Sequence, residues 1–560
     1  MTKPKLIIRP ALELVAFLAI AIGVVLRLVY LGAREFWYDE VLSLIVATGQ
    51  NVNYKTPEAL PVPLRDYTAL LTLPSEANLG EAIATFRNVF KSLLGDVHPP
   101  LSFLTLHFWI RLFGNSDAAT HGQIVLFSLI AIFAAYGLGR LLLGHRGGLL
   151  LAALLATNPY YLSHSLNIRM YGGLVLWTIL SAWALLELIK FSTQEETKEA
   201  KSQDSRWLIL WNILLIGAVT AGLMTQYLFA YWLITLSILV LICDRSHWWQ
   251  HGLRLGFSVL LTIPWILWGT RQQLRNRPNL GGQFDRTGSI EHLWDVAQTL
   301  GTQLVLGDWV TSLPKIIPIV TGCVVILLLT ACTISLWKQG IRRSLIIALV
   351  LGILPLLLAS AVDIISGKFT VSFGWGRTMI FILPGCLLLV TLWLEKAAGK
   401  WQMPIAVTLL VLYLGIGISD FSLRQRWMFH QVADIIQQQP TTPTLIALNS
   451  NAWGHVLRLA YYTPANPPVM LLAQPPAKLA PSLEKVLNET NTTVYPRIIW
   501  LDSANPVWSQ LKTEVEREKE NQKIDKLLQS GFKLTQKQEL SGTMSMDKFT
   551  VKVYTRAGDS

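Results

Sequence analysis

The chain has 560 residues, of which 52% are hydrophobic and only 15% charged, and it carries 21 tryptophans. A soluble domain carries about 25% charged residues, whereas this chain repeats uncharged runs of about 20 residues, enough to cross a hydrocarbon core of about 30 Å. That excludes an ordinary soluble enzyme, and the net charge of +12 lies mostly in short loops between apolar runs, where it orients helices rather than binding nucleic acid.

In chain order, the first apolar run, 11–31, is too long for a signal-peptide core and lacks a small-residue cleavage site, so it reads as a retained anchor. Further spans are expected at 121–143, 148–163, 172–189, 207–225, 227–243, 253–269, 317–337, 344–362, 378–394 and 403–419, eleven in all. Lys3, Lys5 and Arg9 put the N-terminus in the cytoplasm. The alternate loops are then the basic ones: Arg140 and Arg146; Lys190, Lys198, Lys201 and Arg206; Arg245 and Arg254; Lys338, Arg342 and Arg343; Lys396 and Lys400. An odd count of spans leaves the C-terminus outside. The expected setting is a bacterial plasma membrane.

The run "HPPLSFLTLHFWIRLFG", 98–114, is long enough for a short span, but two prolines open it and His107 and Arg111 share one helical side. Counting it as a span would put the basic loops outside, so it is read as a helix in the membrane interface. The first external loop is then 32–120. A second external segment, 270–316, holds Arg271, Arg275, Arg277 and Arg286. They either anchor in headgroups or form a loop that closes over an anionic lipid phosphate.

The membrane domain is expected over 1–420 and a soluble extracytoplasmic α/β domain over 421–560. There the β-rich runs "TLIALNS", "PVMLLA", "RIIWLDS" and "FTVKVYTR" alternate with the helical "SLEKVLNE" and "WSQLKTEVEREKENQKIDKLLQSG". Asn488 and Asn491 stand in Asn-x-Thr patterns, which are frequent by chance. The four cysteines all lie in or at the end of apolar runs, so no disulfide framework is indicated.

Ionisable residues gather on one predicted side of the membrane. "FWYDEVLSL" brings Tyr38, Asp39 and Glu40 after the first span, "HPP" brings His98, "SHSLNIRMY" brings Arg169 and Tyr171, and "FGWGRTMIFILPG" brings Arg377. Charges at such depth pair or line a cavity. A carboxylate can take the proton of an attacking hydroxyl, and an arginine can hold a phosphate bidentately as negative charge grows on it. Together these suit sugar transfer from a polyprenyl phosphate.

"FWYDEVLSL", the His-Pro-Pro-Leu run, "NPYYLSHSLNIRMYGG", "TQYLFAYWL", "IPW" and "GRTMIFILP", in this order over about 11–394, resemble the signatures of family 39-type glycosyltransferases. These belong to the glycosyltransferase C superfamily, with the protein O-mannosyltransferases and the lipid A aminoarabinose transferase. The resemblance implies a glycosyltransferase C-type fold with juxtamembrane helices in the first external loop, a polyprenyl-phosphate-linked donor, an external active site and inversion at the anomeric carbon. It implies Asp39 as general base, with Glu40 orienting the acceptor or supporting Asp39. It implies Arg169 and Arg377 at the donor phosphate, with Tyr171 beside them; Arg271, from the external basic segment, is a further candidate for that phosphate. His98 either contacts acceptor or sugar, with Tyr38, or caps a helix.

Three positions depart from the family pattern: Asn167 where relatives carry an acid, Thr378 where they carry tyrosine, and Thr225–Gln226 where some carry histidine. No cofactor is expected. A divalent metal is possible but not indicated, because Asp39 and Glu40 would point to opposite sides of an extended segment and no His-rich or second acidic cluster stands nearby in the sequence. The acceptor, whether lipid, polysaccharide or protein, is left open. The rival classes are a lipid or sugar transporter and an inactive assembly subunit.

Overall fold

The computed structural model describes all residues except 1–3, 196–203, 277–287, 425–426, 466, 490–493, 505–512, 543–546 and 557–560. Lys3, Lys198, Lys201, Arg277, Arg286, Asn491 and the start of the helix expected from Trp508 therefore lie outside the described residues. The chain forms two compact units. The first is Met1–Leu31, Leu93–Thr105 and Thr120–Phe421; the second is Gly32–Ser92, Leu106–Ala119 and Ser422–Ser560.

The first unit is a bundle of membrane helices. Eight helices among the described residues are long and apolar enough to cross a bilayer: Ala11–Val29, Asp117–Leu143, Tyr171–Thr193, Arg206–Thr225, Trp248–Asn276, Ile316–Lys338, Phe373–Lys396 and the one that includes Gln402–Leu423. Arg342–Gly352 and Leu354–Ser366 make a ninth if taken together across a 41° bend. Pro355 sits at the start of the second piece, where its missing N–H and its ring interrupt the helix. The chain is a multi-pass membrane protein.

The expectation of eleven full spans is corrected at 148–163, which holds a 13-residue helix, His145–Thr157. At 1.5 Å per residue it covers about 20 Å, short of the hydrocarbon core. The run 227–243 is an apolar helix, Tyr227–Cys243, whose first turn, Tyr227–Phe229, is a tighter 3₁₀ turn leading into Ala230–Cys243. The break after Thr157 is chemical. Asn158 Oδ1 accepts the Tyr161 amide at 2.8 Å, so a new helix, Pro159–Ser165, starts with proline at a first-turn position.

Close packing and buried polar ties hold the bundle. A Cβ on Gly322 would stand 1.7 Å from the Ala297 carbonyl oxygen, so the helices Ser289–Gly301 and Ile316–Lys338 approach as only glycine allows. Arg27, fully buried in the first helix, donates to Ser128 Oγ, Gly23 O and Ala156 O at 3.1, 2.8 and 2.6 Å. Its guanidinium lies 5.4 Å from the Tyr161 ring centre. Removing those acceptors would strand a buried charge, which typically costs about 3–5 kcal/mol. Arg146 and Glu395 pair at 2.6 Å, which ties the start of the helix His145–Thr157 to the end of the helix Leu383–Lys396, ends that the charge pattern assigns to one face.

The second unit is built on a six-stranded sheet in the order β1-β3-β2-β4-β6-β5. The strands are β1 Val62–Pro63, β2 Thr444–Leu448, β3 Val469–Ala473, β4 Arg497–Ser503, β5 Phe532–Ser541 and β6 Lys548–Arg556. β2 runs parallel to β3 and β4, and the remaining pairs are antiparallel. β2 is buried along its whole length, as an apolar run in a parallel sheet covered on both faces should be. The first loop thus supplies a strand to this sheet, Val62 facing Leu471.

The helix Leu101–Phe113 has 13 residues, too few to span. Its His107 donates from Nδ1 to the Ala47 carbonyl at 2.7 Å and accepts Arg111 Nε–H on Nε2 at 2.9 Å. Arg111 then grips Glu76 with two hydrogen bonds of 2.8 Å.

Candidate active site

Within the first unit, His98, Arg169, Tyr171 and Arg377 converge at the start of membrane helices. Arg169 stands two residues before the helix Tyr171–Glu195 begins, and Arg377 opens the turn that leads into Leu383–Lys396. Arg169 Nη2 lies 3.4 Å from His98 Nδ1, and both arginines act electrostatically on that imidazole. The Arg377 guanidinium sits over Tyr171 and over Phe373, 5.5 and 5.4 Å from the ring centres.

His98 is organised by Asp96, which the sequence reading missed. Asp96 Oδ1 accepts the amides of Val97 and His98 at 2.7 and 2.9 Å and His98 Nδ1–H at 2.7 Å. A carboxylate accepts only, so Nδ1 carries the proton and Nε2 presents a lone pair. Arg169 cannot donate to an Nδ1 that is itself donating, so its approach is electrostatic. Burial lowers the His98 pKa, Asp96 opposes the shift and Arg169 reinforces it. Burial also works to raise Asp96, but His98 and Arg169 outweigh it and hold the carboxyl well below the usual carboxylate range. The signal was present in "DVHPP", an acid two residues before the histidine.

The loop carrying His98 is clamped by the helix Arg271–Asn276. Gln273 Nε2 donates to the carbonyls of Leu93 and His98, both at 2.9 Å, and its Oε1 accepts from Tyr227 Oη at 2.7 Å. Arg271 opens this helix and is exposed.

The three departures from the family pattern also have places. Asn167 Oδ1 accepts the Arg169 amide at 2.9 Å. Thr378 Oγ1 donates to the Thr370 carbonyl at 2.6 Å, and Gln226 Nε2 donates to the Thr378 carbonyl at 3.1 Å.

Just before Arg377 the backbone makes a left-handed turn. Gly374, Trp375 and Gly376 have φ of 55°, 61° and 80°, and Trp375 is the only non-glycine residue with positive φ among those described. For a bulky residue that conformation costs on the order of 1–3 kcal/mol. Tyr160 Oη donates to the Trp375 carbonyl at 3.2 Å and Gln303 Nε2 to the Gly376 carbonyl at 2.8 Å, which fix the turn. A Cβ on Gly374 would meet Arg377 Nε at 2.3 Å, so glycine there lets the arginine fold back.

Tyr38, Asp39 and Glu40 belong to the second unit. They are not in an extended segment, as the metal argument supposed, but in the first turn of the helix Tyr38–Ala47. Glu40 is buried and accepts the Trp37 amide on Oε2 at 2.7 Å, which satisfies an open N–H at the helix start. Asp39 is half-buried, and its carbonyl accepts Ser43 Oγ–H at 3.1 Å. The Tyr38 ring packs edge-on to His455 at 5.7 Å and lies 5.9 Å beneath the Arg458 guanidinium. Arg458 is held by Asp547 at 2.6 Å. The Asp39 helix is therefore seated on the helix Trp453–Tyr462.

Residues 97–268 match the family model described as dolichyl-phosphate-mannose-protein mannosyltransferase. This is the kind of family that the motifs resemble. The match takes in His98, Arg169 and Tyr171. No curated protein sequence matches the chain significantly. Among solved structures, ArnT from Cupriavidus metallidurans bound to undecaprenyl phosphate is similar at 12% identity and a TM-score of 0.43, over 97% of this chain and 98% of that one. The Archaeoglobus fulgidus oligosaccharyltransferase in complex with zinc and sulfate is similar at 11% identity and a TM-score of 0.47, over 87% of this chain and 67% of that one. The archaeal oligosaccharyltransferase AglB from the same organism, with an inhibitory peptide and a dolichol phosphate, is similar at 11% identity and a TM-score of 0.41, over 87% and 69%. At these values the structural likeness carries no conclusion by itself.

Proposed function

We propose that this protein is an integral membrane glycosyltransferase. It moves a sugar from a polyprenyl-phosphate donor to a hydroxyl-bearing acceptor on the extracytoplasmic face, with inversion. The acceptor oxygen attacks the anomeric carbon and Asp39 takes its proton. The bond from that carbon to the phosphate oxygen breaks, and its electron pair leaves with the polyprenyl phosphate. Arg169 and Arg377 hold the charge that grows there, with Tyr171 bracing Arg377. His98 offers Nε2 to a sugar or acceptor hydroxyl.

The reading rests on one observation above the others. Two guanidiniums act on a single imidazole, and that imidazole and Arg169 lie within the segment that matches the mannosyltransferase family. Such a group suits an anionic leaving phosphate.

The test is transfer from radiolabelled polyprenyl-phosphate sugar in membranes. Asp39→Asn should fall by about 10²–10⁴-fold, the usual contribution of a positioned base, and remain folded and inserted. Arg169→Ala should mainly raise the donor KM. Full turnover by Asp39→Asn would remove the base assignment. Label that crosses the membrane with its sugar–phosphate bond intact would favour a transporter.

A further inference from the structure

We infer that Trp375 is the platform on which the donor's sugar ring lies, an inference that rests on the transferase reading. Three observations carry it. The residue holds a left-handed backbone that costs tryptophan strain and would cost glycine none, although glycines already flank it on both sides. Its main chain is fixed by Tyr160 and is one residue removed from the carbonyl bound by Gln303, so the strain is imposed by its surroundings. Lastly, the indole is partly exposed, and among the described residues it has neither a ring contact nor a hydrogen-bond partner.

The neighbouring rings differ. Tyr171 and Phe373 lie under Arg377, and His164 packs on Tyr160 and Tyr171. A large indole on a fixed main chain two residues before Arg377, partly exposed and with no ring contact or hydrogen bond to Nε1–H among the described residues, suits a ligand that is apolar on one side and hydroxylated at its rim. A pyranose or pentose has that character: its C–H face lies on an aromatic ring while its hydroxyls take hydrogen bonds. The adjacent arginine addresses the phosphate to which that sugar is joined. Trp375 thus contributes to choosing sugar-bearing over bare lipid.

The experiment compares binding of polyprenyl-phosphate mannose, polyprenyl-phosphate glucose and bare polyprenyl phosphate to the full-length protein in detergent, for wild type and Trp375→Gly, Trp375→Phe and Trp375→Leu. Trp375→Gly should be at least as heat-stable as wild type. It should bind at least one sugar-bearing lipid about tenfold more weakly and the bare phosphate unchanged. Trp375→Phe should keep most of the preference and Trp375→Leu lose it, which decides the matter even if the glycine variant does not fold. Equal losses for sugar-bearing and bare lipid would mean an isoprenoid contact and overturn the inference, as would no loss in Trp375→Leu. If wild type itself binds none of the three lipids and transfers no sugar, the transferase reading fails instead.

Discussion

Glu40 turns its carboxylate back to the Trp37 amide, while Asp39, one residue earlier in the same helical turn, is half-buried. Substitution should separate them. Glu40→Ala removes a helix-start hydrogen bond and should cost about 1 kcal/mol of stability; Glu40→Gln, which can still accept the amide, should recover most of it in thermal unfolding. Asp39→Asn should leave unfolding nearly unchanged and remove transfer.

Two histidines should respond to pH in opposite senses. The Glu35 carboxylate, bound to His430 Nδ1 at 2.8 Å, raises the pKa of His430, against the effect of burial. Its stabilisation is therefore complete below the unfolded value of about 6.5 and is lost as pH rises through the higher folded value. Burial lowers His98. Above about pH 6.5 His98 is neutral in both states and changes nothing; as pH falls below that, the unfolded chain binds the proton first and stability declines. Melting curves against pH should show the alkaline loss vanish in His430→Gln and the acid loss shrink in His98→Gln. A wild-type profile unaffected by either substitution would refute both assignments.

At the scale of the helix and strand, Gly454 decides how the Asp39 helix sits. A Cβ there would stand 2.5 Å from the Tyr38 ring. Gly454→Leu should therefore displace Tyr38 and cut turnover at least several-fold, although leucine alone favours a helix by about 1 kcal/mol over glycine. Unchanged kcat in that variant would mean that the seat does not position Asp39.

Elements were legible where a pattern was strong. All eleven apolar runs are helical, and the four apolar β-rich runs after residue 440 are strands. β5 was missed because half of its sequence, "FKLTQKQELS", is Lys, Gln and Glu, and most of it is exposed. Such charge belongs on an edge strand, where it discourages pairing with other chains. β1 was missed because two residues carry no period. The arginines, Tyr171 and His98 that converge in the first unit stood out in the sequence as residue types out of place in apolar surroundings, as did Asp39 and Glu40, which belong to the second unit. Asp96 and Gln273 did not, because their roles are hydrogen bonds to backbone groups that only the folded loop brings near.

For the whole molecule, the segments around Asp39 and the C-terminal residues form one unit. Deleting 422–560 removes β3, the strand with which β1 pairs among the described residues, and the helix beneath Tyr38. The truncated protein should insert in the membrane, show its first loop cut rapidly by protease, and transfer no sugar. A truncation that keeps a protease-resistant loop would show that 32–92 orders itself.

The pairing of Val62 with Leu471 also sets a timetable. The early half of this unit is made about 400 residues before the strand it must join, and at about 5–20 residues per second that is a wait of roughly 20–80 s. Throughout it the first loop has an incomplete sheet and uncovered apolar side chains. Newborn chains are thus most vulnerable to capture or cleavage in the interval before residue 471 emerges, and the compartment that receives this unit would need a holding factor only for that interval.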